Sequence, residues 1–215
     1  MTLLTADIVR ELGRGDKVKI TLVDANASPQ PGPKARIFKE WLDKMGVEYV
    51  PNNKVVRVDP EKKEVETDKG ERFRFDVLSV LPRNFAPGFV REAGLAGQFT
   101  EVDLTTFRTK AFDDVYAIGD HIRAPYTKSA YAATTQGRRL AEVIAERLGL
   151  GVKPETKVYN ICWSYVNRNE LSVIEVQWEP DGKTSEGYPK VGEPTAENKR
   201  RRHGWEEGLI KSLYG

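Results

Sequence analysis

Apolar positions along this chain recur in two periods, one helical and one extended. Residues 3–12 put Leu4, Ile8, Val9 and Leu12 on one helical face, and Gly13 and Gly15 end the run. Residues 17–24 alternate into a buried strand that closes on an acid, Asp24. A stretch rich in Pro and Gly follows at 26–33, a composition that excludes both helix and central strand. Helical spacing returns over 37–45, with Ile37, Trp41, Leu42 and Met45 on one face and Gly46 closing it. A short strand at 47–50 precedes a three-stranded meander at 55–58, 64–67 and 71–75, with turns at 59–62 and 68–70. Residues 76–82 read as a further buried strand of the parallel type.

The second half of the chain is organised around one stretch. A short helix and loop at 88–97 and the run 105–109 lead to an apolar segment, 115–118, that ends in Gly119-Asp120. After Pro125 and Lys128, a helix rich in small residues is predicted from Ser129 through Leu148. Residues 149–154 form the clearest linker. Beyond it come strands at 158–164 and 171–178, a turn at 180–182, a polar stretch and a terminal helix over 195–213. The order helix, strand, helix, strand, meander, strand matches the tail of a Rossmann-like domain. The first strand and Gly-rich turn of such a unit are expected ahead of residue 1, because the chain opens inside the helix that follows them. The expected fold is therefore α/β. It divides into a partial dinucleotide-type domain at 1–85, the C-terminal part of a second such domain at 86–150, and a small α+β unit at 151–215.

Composition narrows the function classes. Lys and Arg number 34 against 32 Asp and Glu, and the formal net charge of +2 lends no support to a nucleic-acid footprint. No apolar run approaches the roughly 20 residues that a spanning helix needs, so a chain without a transmembrane helix is expected. The N-terminus lacks the pattern of a signal peptide. One cysteine, Cys162, and two histidines, His121 and His203, leave no set of ligands for a transition metal and no internal disulfide.

Candidate chemistry sits where the apolar run meets the helix. Gly119 permits close approach of backbone to a ligand, Asp120 accepts hydrogen bonds from hydroxyls, and the helix start at Ser129 offers free N–H groups to an electron-rich atom. A plain strand–turn–helix with a capping Asp accounts for the same residues. Cys162 is the only redox-capable side chain, though a lone cysteine is more often a small buried filler. Asp24 stands where a ribose-binding acid would, and a structural strand end is preferred for it. The basic run Lys199-Arg200-Arg201-Arg202 reads first as a solvated helix face, with docking to an acidic protein as the sharper alternative.

The sequence 112–120, Phe-Asp-Asp-Val-Tyr-Ala-Ile-Gly-Asp, resembles the second flavin motif of the two-dinucleotide-binding-domain flavoproteins. Nearly the whole chain resembles the C-terminal half of the flavoprotein subunit of flavocytochrome c sulfide dehydrogenase, a relative of the sulfide:quinone oxidoreductases. The matching residues are 22–26, Asp76-Val77-Leu78, Leu81-Pro82, Gly119-Asp120, Pro125, Lys128-Ser129, the pattern Asn160-x-Cys162-x-Ser164, and the ending from His203 to Gly215. The resemblance implies FAD as cofactor, with Pro82, Gly119, Asp120, Lys128 and Ser129 about it. It implies Cys162 as the second cysteine of a redox disulfide that sulfide attacks, and a c-type cytochrome as electron acceptor. It implies a periplasmic setting and a complementary N-terminal portion carrying the first cysteine and the pyrophosphate loop. Trp163 and Trp205 are expected as packing residues. An NAD(P)H-dependent or quinone-reducing relative, or a non-catalytic remnant that binds a partner, are the alternatives.

Overall fold

The computed structural model describes residues 1–30 and 32–215. Pro31, within the expected turn-rich loop, lies outside the described residues. The chain is α/β and groups into two compact units, residues 1–80 with 163–173 and 191–215, and residues 81–162 with 174–190. Residues 151–215 thus contribute to both.

In the first unit, helix α1 (Thr2–Glu11) and helix α2 (Ala35–Lys44) pack with strands β1 (Thr21–Val23) and β2 (Glu48–Val50). Leu3, Ala6, Ile37, Phe38, Leu42, Val47 and Val166 form its core. Helix α1 buries Leu3 and Ala6 rather than the expected face, of which Ile8 and Leu12 stand exposed, because the neighbouring helix and strands meet its other side. The two strands are parallel, with Thr21 opposite Glu48 and Val23 opposite Val50, and α2 makes the crossover between them. The resulting βαβ unit fits the expected Rossmann-like order of helix, strand, helix and strand. A single 3-10 turn, Gly32–Lys34, leads into α2. The meander follows as antiparallel strands β3 (Val55–Asp59), β4 (Glu64–Thr67) and β5 (Arg72–Arg74). Its first turn is held by Asp59, whose Oδ1 accepts the Lys62 N–H at 3.0 Å.

The expected strand at 76–82 is not formed. Val77 is 91% and Leu81 92% exposed, and the segment is irregular. A parallel strand needs a neighbour to hydrogen-bond with, and among the described residues the parallel sheet is the β1–β2 pair alone. The apolar residues that would face a larger sheet, Val77, Val80, Leu81 and Phe85, stay exposed instead.

The second unit contains helix α3 (Gly88–Glu92) and the long helix α4 (Ala130–Arg147). Its core joins Val102, Phe107, Ala117, Ile122, Tyr126, Ala132, Val158 and Trp178. Phe107 and Trp178 both meet the Tyr126 ring edge to face, at 6.4 and 5.4 Å. Residues 115–118 pair through one isolated bridge, Tyr116 with Arg108, rather than as the expected strand: Ala117 donates to the Phe107 carbonyl at 3.0 Å, and Thr109 to the Val115 carbonyl at 2.8 Å. Phe107 sits at φ +61°, which turns the partner segment away before a continuous ladder can form.

Strands β6 (Val158–Tyr165), β7 (Leu171–Trp178) and β8 (Lys190–Thr195) form a sheet in that order, and helix α5 (Ala196–Tyr214) closes the chain. The pattern of apolar and polar residues does not announce β8, because Gly192 and Pro194 interrupt it. Pro is tolerated there because β8 lies at the sheet edge. The turn after β7 requires Gly182, at φ +86°, where a Cβ would lie 2.6 Å from Leu104 Cδ1. No helix among the described residues is long and apolar enough to cross a membrane.

Candidate functional site

Pro82, Gly119, Asp120, Lys128, Ser129 and Cys162 lie in the second unit, and most of them converge on the start of α4. Gly119 takes φ +88°, where a Cβ would be strained, and its N–H donates to Gln136 Oε1 at 2.7 Å. Gln136 is buried on α4, so this bond fixes the turn to the helix. Gln136 carries no sequence signal; one amide on a helix face is not distinguishable by spacing. The turn leaves Asp120 exposed, and among the described residues no hydrogen bond engages its carboxylate.

Lys128 works on the backbone of the same turn. Its Nζ donates to the carbonyls of Asp120 and Ile122, the latter at 3.1 Å, and lies 4.2 Å from the centre of the Phe99 ring. Burial of the amine holds its pKa below the usual lysine range, and Arg123 adds to the effect while Asp120 opposes it. Next to it, His121 Nδ1 lies 3.1 Å from Thr100 Oγ1. Burial, then the charge of Lys128, holds this imidazole below its ordinary value.

Ser129 is the N-cap of α4, in extended conformation, and its Oγ accepts the Ala132 N–H at 3.1 Å. The same hydroxyl donates to Asn160 Oδ1 at 2.6 Å, which ties the helix start to β6. Alternation along β6 places Val158, Asn160 and Cys162 on one face. Cys162 is half-buried. Pro82 lies in the exposed segment that replaces the expected strand, and no described hydrogen bond joins that segment to the Gly119 turn. The structure therefore brings Gly119, Asp120, Lys128, Ser129 and the β6 face of Cys162 into one neighbourhood through direct bonds, and leaves Pro82 outside that network.

A second candidate, Asp24, is built differently. Its Oδ1 accepts the backbone N–H and the side-chain amide of Asn26 at 2.9 and 2.8 Å, and its Oδ2 accepts the Tyr49 hydroxyl at 3.4 Å. Burial and the neighbouring Asp24 push the Tyr49 phenol up to about 12, so it stays a donor. The carboxylate is spent on its own turn, as the preference for a structural strand end predicts. The basic run on α5 is also engaged within the protein. Lys199 donates to the Arg168 carbonyl at 2.8 Å, Arg201 lies 5.4 Å from the Trp163 ring centre, and Arg202 pairs with Glu206 at 3.2 Å. Among the described residues no group of three or more His, Cys, Asp or Glu is placed to hold a metal ion.

Residues 4–137 match the family model of the pyridine nucleotide-disulphide oxidoreductases. The chain belongs to that family. Within and around it, the chain is 30% identical over 186 residues to the mitochondrial sulfide:quinone oxidoreductase of Dictyostelium discoideum, a match covering 81% of this chain and 40% of that protein. The sulfide:quinone oxidoreductase structure from Aquifex aeolicus shares the fold at a TM-score of 0.69 and 13% identity, covering 97% of this chain and 53% of that one. A chain in the Tetrahymena thermophila mitochondrial ATP synthase structure shares it at 0.66 and 19% identity, over 98% of this chain and 54% of that one. The chain thus spans 40% of the length of its curated relative. Family membership agrees with the Rossmann-like βαβ unit and meander of the first unit, which fall inside the matched range.

Proposed function

We propose that this chain is the C-terminal portion of an FAD-dependent oxidoreductase acting on sulfide, with Asp120 and the start of α4 as its half of the flavin site. The observation that carries the reading is the turn at 119–120. It is locked from the protein side by Gln136 and Lys128, while among the described residues no hydrogen bond engages its carboxylate. Such a carboxylate fits the hydroxyls of a ribityl chain, and the positive dipole end of α4 fits the electron-rich edge of a flavin ring. FAD, when bound, supplies acceptance of two electrons and their release one at a time. Lys128 acts in this reading as the clamp that shapes the Asp120 turn.

Cys162 would serve as one partner of a thiol–disulfide exchange: sulfide attacks a disulfide, one sulfur becomes the persulfide and the other leaves as thiolate. The second cysteine has to come from outside these 215 residues, which contain one. The acceptor proposed is a c-type cytochrome in a periplasmic setting, as the resemblance implies. A quinone is the competing acceptor, favoured by what the Dictyostelium relative is named for. The engagement of Asp24 by Asn26 and Tyr49 speaks against a nicotinamide ribose at the end of β1.

The test is an FAD titration of the purified chain by absorbance and flavin fluorescence, beside Asp120→Ala. A charge-assisted hydrogen bond of about 1.5–3 kcal/mol predicts roughly 10- to 100-fold weaker binding in the variant. Equal affinity in the two proteins, or no uptake by either, would sink the reading. Where flavin binds, stopped-flow reduction by sulfide of the full-length parent, with cytochrome c or a soluble quinone as oxidant, separates the two acceptors.

A further inference from the structure

Met45 is the C-cap residue of α2, and its thioether is held against an arginine of α1. Arg10 Nη1 donates to Met45 Sδ at 3.4 Å and to the Lys44 carbonyl at 2.9 Å. A thioether sulfur has two lone pairs and is a weak acceptor, so one N–H leaves it a lone pair with which to react. Among the described residues no hydrogen bond engages Nε or Nη2 of the same guanidinium, and its rigid fork keeps those donors close to the sulfur. Both side chains line one open cavity of about 400 Å³ in the first unit, together with Val9, Ile20, Asp43 and Lys44. A water takes about 30 Å³ of liquid, so a molecule the size of hydrogen peroxide enters that space freely. On its other side Met45 packs, half-buried, against the core of the first unit. An oxidisable sulfur, a cationic donor touching it and an opening to solvent are thus built into one place.

We propose that Met45 is a site of oxidation to the sulfoxide by hydrogen peroxide, assisted by Arg10. The free lone pair of the sulfur attacks one peroxide oxygen, the S–O bond forms and the O–O bond breaks. Sulfur is oxidised by two electrons, and the attacked oxygen passes its proton to the departing hydroxide, so the products are sulfoxide and water. Negative charge builds on the oxygens as the O–O bond opens, and the Arg10 N–H groups are in place to meet it. In the product the sulfoxide oxygen is a better acceptor than the thioether and takes an Arg10 N–H. The reaction turns an apolar side chain at the edge of a core into a polar one, which makes the end of α2 the peroxide-sensitive point of the first unit. None of this depends on the flavin reading.

The experiment treats the purified chain with hydrogen peroxide and follows oxygen addition at Met45 by peptide mass spectrometry, in the folded protein and in the same chain unfolded in urea. The unfolded chain supplies the rate of an open thioether with no guanidinium fixed beside it. Met45 should oxidise at least as fast folded as unfolded, although folding half-buries it. Arg10→Leu should slow the folded protein about tenfold, the loss expected for one charge-assisted hydrogen bond gained in the transition state, and leave the unfolded rate unchanged. A folded rate well below the unfolded one means that the cavity does not deliver peroxide to the sulfur, and overturns the proposal without recourse to any variant. Equal folded rates with and without Arg10 overturn it as well, because the sulfur would then react as any accessible methionine does.

Discussion

Asp24 follows Leu22 and Val23 at the end of β1, and Asp120 follows Ala117, Ile118 and Gly119 ahead of α4. Along the sequence the two look alike, an apolar run closed by an acid in an α/β chain. In the folded protein they are opposites. Asn26 and Tyr49 surround the first carboxylate, so its hydrogen-bonding capacity is used in holding the loop after β1. The second stands on a turn whose backbone is held by Gln136 and Lys128, and its carboxylate meets no donor among the described residues. The difference lies in where the local donors are. Asn26, two residues on, closes an Asx turn on Asp24. Around Asp120 the neighbouring side chains reach the main chain instead, Gln136 Oε1 accepting the Gly119 N–H and Lys128 Nζ donating to the Asp120 and Ile122 carbonyls. A residue whose support comes through its backbone keeps its side chain for a ligand.

The largest effect should come from removing what carries the Asp120 segment. Phe107 is wholly buried, and its carbonyl accepts the Ala117 N–H. Phe107→Ala should destabilise the protein by about 3–5 kcal/mol in urea unfolding, from lost burial plus the cavity left behind. A loss below about 1 kcal/mol would mean that this core does not hold the segment. Asp24→Ala is the sharper comparison. It removes the acceptor of three hydrogen bonds and should cost about 1–2 kcal/mol of stability, yet leave FAD affinity where it was. Asp120→Ala should do the reverse, weakening FAD without moving the unfolding midpoint. Identical behaviour of the two variants would erase the distinction.

The smallest effect is a pH dependence. His121 is held below its ordinary value of 6.5 in the folded state, so the unfolded chain binds the proton more readily. Between the folded and unfolded values the unfolded state carries more protons, and stability rises with pH through that window. Stability is therefore lost as pH falls below 6.5, and His121→Asn should flatten that part of the profile. An unchanged slope in the variant would assign the acid sensitivity to other groups.

Much of the architecture was legible in the order of residues. The helical segments α1, α2 and α4, the apolar face of α2, the order of α1, β1, α2 and β2, and the meander with its turns follow from local period and turn chemistry. The Gly119-Asp120 motif with Ser129 behind it was legible for the same reason, since the glycine, the acid and the N-cap act within a few residues of one another. Four features were not. Helix α1 buries Leu3 and Ala6 rather than the face its period marks, because burial depends on what packs against the helix. Residues 76–82 have the composition of a buried parallel strand, but strand formation depends on a neighbour that composition does not specify, and here Val77 and Leu81 stand exposed. Residues 115–118 lost their ladder because Phe107, far from them in sequence, turns its own backbone away. Strand β8 runs through Gly192 and Pro194 and exists because it lies at an edge.

The sequence by itself determined which segments are helical, where the turns fall and which residues have the chemistry to meet a flavin. Those properties depend on φ and ψ preferences and on spacing within one or two turns of chain. Tertiary structure alone decided that Gln136 holds the turn ahead of Asp120 and that Tyr49 joins Asn26 on Asp24. It also decided that Lys128 spends its hydrogen bonds on two carbonyls and that Ser129 reaches Asn160. These depend on distances between residues 8 to 31 positions apart, which no local period encodes.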